Sequence, residues 1–272
     1  MIANVLSIAG SDPSGGAGIQ ADLKAFSARG VFGMAALTAL TAQNTQGVSA
    51  VHALPADFVM EQIRMVFADV RVDAVKIGMI ANAEIAAAVA EALRLYYRAP
   101  VVLDPVMIAK GGAPLLAPQA METVRRRLLP LATVVTPNLP EAAALLDGPE
   151  AKNRQEMAEQ ARTLLDLGPG AALIKGGHLS GGESPDVLAT KDGLVWFESL
   201  RTSTKNTHGT GCSLSSAIAA ELGKGCSIPD AIRTAKAWLT GAIEAADALR
   251  VGSGHGPIHH FHHLWTEKDI SR

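Results

Sequence analysis

Cysteine is nearly absent. Two occur in 272 residues, Cys212 and Cys226, so no disulfide framework braces this chain, and a reducing cytoplasm is the expected compartment. Positive charge is not in excess either: 24 Lys and Arg face 26 Asp and Glu, a formal net charge of −2. That leaves no basic footprint of the kind that neutralises nucleic-acid phosphates. No apolar run approaches the ~18 residues of a membrane helix. The N-terminal MIANVLSIAGSD lacks a positively charged leader and reads as a first strand rather than a signal peptide. Neither nucleic acid nor membrane is an expected partner, which leaves small molecules.

What is present is apolar material, 48% of the residues, in an alternating pattern. Short runs at 4–9 (NVLSIA), 74–78 (AVKIG), 101–104 (VVLD), 133–136 (TVVT) and 171–175 (AALIK) are continuous enough to be buried on both faces, as parallel strands are. Between them, 82–98, 118–129 and 154–168 carry Ala- and Leu-rich helical spacing, with Gly168 where a C-terminal cap is expected. The pattern predicts an α/β fold, a mostly parallel sheet with helices on both faces. Asp192-Gly193, between two strand-like runs, predicts a β-hairpin at one edge. No linker-like break divides residues 1–272, so a single domain is expected. The turn-rich segment 179–186 (LSGGESPD) reads as a possible lid.

Open parallel sheets bind ligands beyond the carboxyl ends of their strands. There the chain places GSDPSGGAG (10–18), GMI (78–80), DPVM (104–107), TPNLPE (136–141) and KGGH (175–178), a recurrence of Asp, Asn, Glu and Lys that points to a composite site. Two Gly-rich loops, 11–24 and 207–213, each open a helix, and either can offer backbone N–H groups to an anion. Neither matches a Walker A loop, and the first does not match GxGxxG. Chain physics alone does not choose between them.

Taken together and in order, AGSDPSGGAGIQADLKAF, ALTAQNTQGV, VKIGMI, LDPVM, TPNLPEA, IKGGH and HGTGCSLSSAIAA resemble the hydroxymethylpyrimidine/phosphomethylpyrimidine kinases of thiamine synthesis, members of the ribokinase-like superfamily. The resemblance runs from Ile8 to about Trp265 and implies a ribokinase-like fold. It implies ATP and Mg²⁺ as cofactors, an aminopyrimidine alcohol phosphorylated twice, and a homodimer. Pyridoxine or pyridoxal kinases of the same superfamily are the near alternative. A thiol hydrolase pairing Cys212 with His208 or His178, and a non-catalytic pyrimidine-binding protein, are the others.

Carried over residue by residue, the resemblance makes Gly209, Thr210, Gly211 and Cys212 an anion-binding turn. Lys175 becomes the lysine at the nucleotide's terminal phosphates, and Asn138 and Glu141 the pair that holds Mg²⁺, Glu141 largely through water. Asp104 serves the same region. Where the wider superfamily has an aspartate base, this chain has Cys212. A thiol at a helix N-terminus is expected to have a lowered pKa, and Cys212 is expected to assist the first transfer but not the second, whose attacking phosphate oxygen is already ionised. Gln43 suits the amino and ring-nitrogen edge of a pyrimidine, since its amide both donates and accepts. Gly10, Asp22, Met79 and Val106 would complete that pocket. Cys226 reads as structural, and the five histidines of 254–265 as a solvated or packed tail without metal.

Overall fold

The structure, a computed structural model, describes residues 1–96, 99–108, 112 and 115–265. In chain order its first half comprises β1 (Asn4–Ala9), α1 (Gly18–Ala28), β2 (Phe32–Leu37), β3 (Ala39–Asn44), β4 (Gly47–Ala53), α2 (Ala56–Asp69), β5 (Ala74–Ile77), α3 (Ala83–Tyr96) and β6 (Val101–Leu103). The second half comprises α4 (Pro118–Thr123), β7 (Val134–Val135), α5 (Leu139–Leu146), α6 (Arg154–Leu165), β8 (Ala171–Lys175), β9 (Asp186–Thr190), β10 (Gly193–Phe197), α7 (Thr210–Gly223) and α8 (Ile228–Glu244). Eight strands form one sheet in the order β10-β9-β8-β7-β6-β5-β1-β2. The six from β8 to β2 run parallel, and β9 and β10 add antiparallel at one edge.

The apolar runs are continuous because both faces of the sheet are covered. Leu6, Ile8, Val75, Ile77 and Leu103 face a core shared with α2, α3, α5 and α6. The alternate positions Val5, Ala74, Val102 and Leu173 face a second core shared with α1, α7 and α8. Two positions break this second series with polar groups, Ser7 and Lys76, both fully buried. They sit under α1 and α7, beneath the candidate site.

The five expected parallel strands form where the sequence places them, and Gly168 takes the positive φ of 100° expected near a helix end. The hairpin pairs Thr190 with Gly193, so its turn residues are Lys191 and Asp192, one position earlier than the Asp-Gly signal suggests. The helix expected over 118–129 is α-helical only to Thr123, then passes through a π turn (Val124–Leu128) and a 3₁₀ turn (Leu129–Leu131). Pro130, which cannot donate, lies in that last turn. Of the helix expected over 82–98, residues 97 and 98 lie outside the described residues.

The segment 179–186 is tied down rather than free. Arg201 donates to the carbonyls of Gly177 (2.9 Å), Leu179 (2.6 Å) and Gly181 (3.0 Å). Lys236 Nζ holds Ser184 O (2.9 Å) and the Asp186 carboxylate (2.6 Å), whose other oxygen accepts from Gly176 N–H (3.0 Å). These bonds hold the segment expected as a lid against its neighbours.

The β3–β4 hairpin forms a separate two-stranded sheet that crosses the end of β1, Ser11 N–H donating to Ala39 O (2.9 Å). The histidine-bearing C-terminal stretch is packed: His255 N–H donates to Thr45 O (2.9 Å), His208 N–H to Gly256 O (3.0 Å), and Ile258, His259 and His260 are buried. Among the described residues no helix is long and apolar enough to cross a membrane.

Candidate active site

α7 begins at Gly209, whose φ of 75° lies in the left-handed region. A Cβ there would stand 1.8 Å from Gly16 O, so only glycine fits where the two Gly-rich loops touch. The first α-helical bond of α7 runs from Ser213 N–H to Gly209 O (2.9 Å). The N–H groups of Gly211 and Cys212 precede it, lack an acceptor within the helix, and lie at its positive end. α7 is buried on all sides from Ser213 to Leu222, which fixes the direction in which these groups point.

Against this turn stands a charged cluster from three strand ends. A Cβ on Gly211 would lie 3.3 Å from Lys175 Nζ and 3.7 Å from Asp104 Oδ2. Lys175, the last residue of β8, places Nζ 2.9 Å from Asp104 Oδ1 and 3.9 Å from Glu141 Oε2. Asp104 also accepts from Thr136 Oγ1 (3.3 Å) and Ser215 Oγ (3.2 Å). Burial opposes the Lys175 charge, but Asp104 and Glu141 outweigh it and raise its pKa above the ordinary lysine value. Burial would raise Asp104, yet Lys175 and Lys76 hold it below the usual carboxylate range.

Glu141 fares differently. Burial pushes it up to about 7; Lys175 and the backbone N–H groups of Asn138 and Met107 pull down, and Asp104 pushes up. It also caps α5, accepting from Asn138 N–H (2.8 Å) while Asn138 Oδ1 accepts from Glu141 N–H (2.9 Å). Two carboxylates thus share one ammonium, and the second is short of positive charge. That oxygen-rich, under-neutralised set fits a hard divalent cation that keeps most of its waters. Among the described residues no three-ligand His, Cys, Asp or Glu cage exists, and such a cation does not require one.

Cys212 departs from expectation. Its thiol is pushed up to about 11 by burial, with Asp22 and Asp104 adding to the rise and Lys76 and the Gly18 N–H opposing it. Desolvation and two carboxylates raise it, against the direction expected from a helix N-terminus. The sulfur is a thiol near neutrality, not a thiolate. His208, the supposed hydrolase partner, has Nε2 engaged 2.8 Å from Asp12 Oδ2.

The other end of the cleft is built from β1, β3 and β5. A Cβ on Gly10 would stand 2.9 Å from Met79 Sδ, so Gly10 and Met79 form one wall. Thr38 Oγ1 anchors that wall by donating to Met79 O (2.6 Å). The amide of Gln43 is placed with Oε1 3.2 Å from Thr41 Oγ1 and Nε2 3.3 Å from His208 Nε2. Asp12 shapes the first Gly-rich loop, accepting from Ser14 N–H (2.9 Å), Ser14 Oγ (2.7 Å) and Ala17 N–H (2.8 Å) as well as facing His208. Val106, two residues after Asp104, is half-buried, and its N–H donates back to Asp104 O (2.8 Å).

Asp22 is not part of this lining. It has no exposed surface and is saturated by Lys76 Nζ (2.8 and 2.9 Å), Ser7 Oγ (2.6 Å) and Ser216 Oγ (2.7 Å). Its place is beneath the site, joining β1, β5, α1 and α7. The sequence reading passed over Asp12, Thr41 and Lys76, and weighed His208 only as a thiol partner. The one signal for His208 was its position directly before the Gly-Thr-Gly turn.

A doubly wound sheet, a helix start whose first N–H groups have no helical acceptor and an adjoining Lys–Asp–Glu cluster are the features of a small-molecule kinase of the ribokinase-like fold. The phosphomethylpyrimidine kinase family model matches residues 12–259. Hydroxymethylpyrimidine/phosphomethylpyrimidine kinase from Escherichia coli K12 is 56% identical over 262 residues, 96% of this chain and 98% of that one. Its counterpart from Rhizobium meliloti is 52% identical, over 98% and 100%. The chain belongs to the hydroxymethylpyrimidine/phosphomethylpyrimidine kinase family. Among solved structures, the Clostridium difficile phosphomethylpyrimidine kinase is 44% identical, with a TM-score of 0.79 over 89% of this chain and 99% of that one. The Bacillus subtilis pyridoxal kinase in complex with ADP is 36% identical, with a TM-score of 0.88 over 96% and 98%. Shape ranks these two structures one way and identity the other, so backbone geometry does not separate the two substrate classes. The protein is an ATP-using phosphotransferase.

Proposed function

We propose that the enzyme transfers the γ-phosphoryl group of ATP to the hydroxymethyl oxygen of 4-amino-5-hydroxymethyl-2-methylpyrimidine, and then a second phosphoryl group to the monophosphate so formed. The observation that carries this reading is the placement of Gly211 against Lys175, with Gln43 reached through His208 in the same loop. A phosphoryl-binding turn and a heterocycle-reading amide are thereby held a few residues apart. In each step one P–O bond to ADP breaks and one to the acceptor forms; in the first, the alcohol proton is released.

Phosphoryl transfer through a loose transition state depends chiefly on positioning and charge. The N–H groups of Gly211 and Cys212 would hold the migrating group, and Lys175 would neutralise the nucleotide's terminal phosphates. Glu141 and Asp104, aided by Asn138, would hold Mg²⁺, which supplies electrostatic neutralisation of the phosphates. With its sulfur protonated, Cys212 orients the acceptor oxygen rather than waiting as a formed base. Gly10, Met79 and Val106 would wall the ring.

We read residues 1–272 as one domain working in the cytoplasm, supported by the single sheet between both cores and by two free thiols. A homodimer is supported by Leu40 and Val51, large apolar side chains exposed on β3–β4. The second reading is pyridoxal kinase, the activity of the Bacillus enzyme to which the chain is 36% identical. Incubation with γ-labelled ATP and each alcohol separately tests both readings. Label is expected in pyrimidine mono- and diphosphate, and label in pyridoxal phosphate alone would overturn the first reading.

A further inference from the structure

The amide of Gln43 is held between two groups whose hydrogen-bonding roles are fixed by their own surroundings. At one end, Thr41 Oγ1 lies 2.8 Å from Ser11 O and 3.2 Å from the Gln43 amide. A hydroxyl has one proton, and a carbonyl can only accept, so the Thr41 proton is committed to Ser11. That requires the Gln43 atom beside Thr41, placed as Oε1, to be the donating NH₂ instead. At the other end, His208 Nε2 lies 2.8 Å from Asp12 Oδ2 and 3.3 Å from the Gln43 amide.

Burial would raise Asp12, but the bonds from His208 and Ser14 prevail and hold its pKa below the ordinary carboxylate value. Asp12 is thus an acceptor, and His208 Nε2 carries the proton. A second donor facing that N–H would be repelled, so the Gln43 atom beside His208, placed as Nε2, must be the carbonyl oxygen instead. Both ends therefore call for the amide turned over from its placement with Oε1 toward Thr41 and Nε2 toward His208, an exchange of O and N that hydrogen-bond chemistry decides.

We infer that Asp12, His208 and Thr41 are specificity-determining positioning residues that fix the polarity of the Gln43 amide, so that the site accepts a 4-aminopyrimidine and rejects its 4-oxo analogue. The inference rests on the reading above that Gln43 faces the pyrimidine. A freely rotating glutamine would serve both rings, since turning it over exchanges donor for acceptor. The amino ring offers a donor beside an acceptor, and the oxo ring, protonated on the adjacent nitrogen, offers the reverse. With the amide clamped, the oxo ring meets like against like and leaves buried polar groups unpaired. The chain has the packing to keep the clamp in place: a Cβ on Gly16 would stand 2.4 Å from His208 Cδ2, so the imidazole packs directly against the first loop.

The test compares kcat/KM for 5-hydroxymethyl-2-methylpyrimidine alcohols bearing 4-amino or 4-oxo groups. The unsubstituted enzyme is expected to favour the amino compound by roughly 10²-fold or more. Thr41→Val and His208→Leu should each cut that preference by roughly tenfold or more. His208→Gln, which returns an N–H near the Nε2 position, should restore most of it. Gln43→Ala should abolish the preference, and adding His208→Leu to it should cost nothing further in selectivity. Thr41→Val lies outside the loop contact and keeps the test readable should His208→Leu fold poorly. If Gln43→Ala loses the preference while Thr41→Val and His208→Leu keep it, the clamp is overturned and the pyrimidine reading stands. If Gln43→Ala keeps the preference, both fall.

Discussion

Ser213, the residue after the Cys212 thiol, places its hydroxyl 2.9 Å from Nε2 of His260, 47 positions further along the chain. Burial, with the Lys24 and His259 charges adding to it, brings the His260 imidazole down to about 3, so it is neutral and accepts the Ser213 proton. A histidine depressed in the fold contributes stability that is complete above its unfolded value and is lost as pH falls through the folded one. Between pH 7 and pH 5 this group should cost about 2 kcal/mol. Urea unfolding at the two pH values measures the loss, and His260→Gln, which retains an acceptor for Ser213, should reduce it by about that amount.

Lys175 answers to both Asp104 and the glycine turn. Lys175→Met should lower kcat/KM by roughly 10²–10³, through loss of a charge matched to the phosphates. Steady-state kinetics at saturating pyrimidine should show the defect in nucleotide use. Because the substitution strands Asp104, the Lys175→Met/Asp104→Asn pair should recover folding stability without recovering activity.

A Cys212 thiol raised to about 11 makes a direct chemical prediction. In a Cys226→Ser background, alkylation by iodoacetamide should be slow at pH 7 and rise about tenfold per pH unit through pH 9. A plateau by pH 8 would contradict the assignment of a protonated sulfur. Cys212→Ala removes a thiol that orients the hydroxymethyl oxygen, so the first transfer should fall by roughly 10²-fold and the second, whose attacking oxygen belongs to the phosphate, by much less.

Lys76 and Asp22 form a fully buried pair, so removing one partner should be far worse than removing both. Lys76→Met is expected to cost about 3–5 kcal/mol, and Lys76→Met/Asp22→Leu substantially less. Chemical denaturation reads the difference. The KM for pyrimidine should stay near that of the unsubstituted enzyme in the double variant; a large rise would return Asp22 to the pocket.

Legibility in the sequence followed burial. Strands covered on both faces announce themselves as unbroken apolar runs, which is why even the two-residue β7 was recoverable from its neighbourhood. β3, with an alternation of buried and exposed positions over Ala39–Asn44, and the largely exposed β4 carry small and polar residues and gave no such signal. The meeting of Asp104, Lys175, Asn138 and Glu141 beyond the strand ends was legible because position and residue type agree. Asp12 and His208 were not, since their meaning depends on a contact across 196 positions. The expected lowering of the Cys212 pKa met the opposite direction for a related reason: a helix start is visible in a sequence, whereas the burial that raises the thiol is produced only by folding.

Gly16 and Gly209 meet with no space for a methyl group between them, and a shared wall of that kind cannot shift on one side alone. Whatever the heterocycle does to the first loop, the nucleotide end must register, and by thermodynamic reciprocity the influence is equal in both directions. The two substrates should therefore bind with synergy, each tightening the other's hold by the same factor.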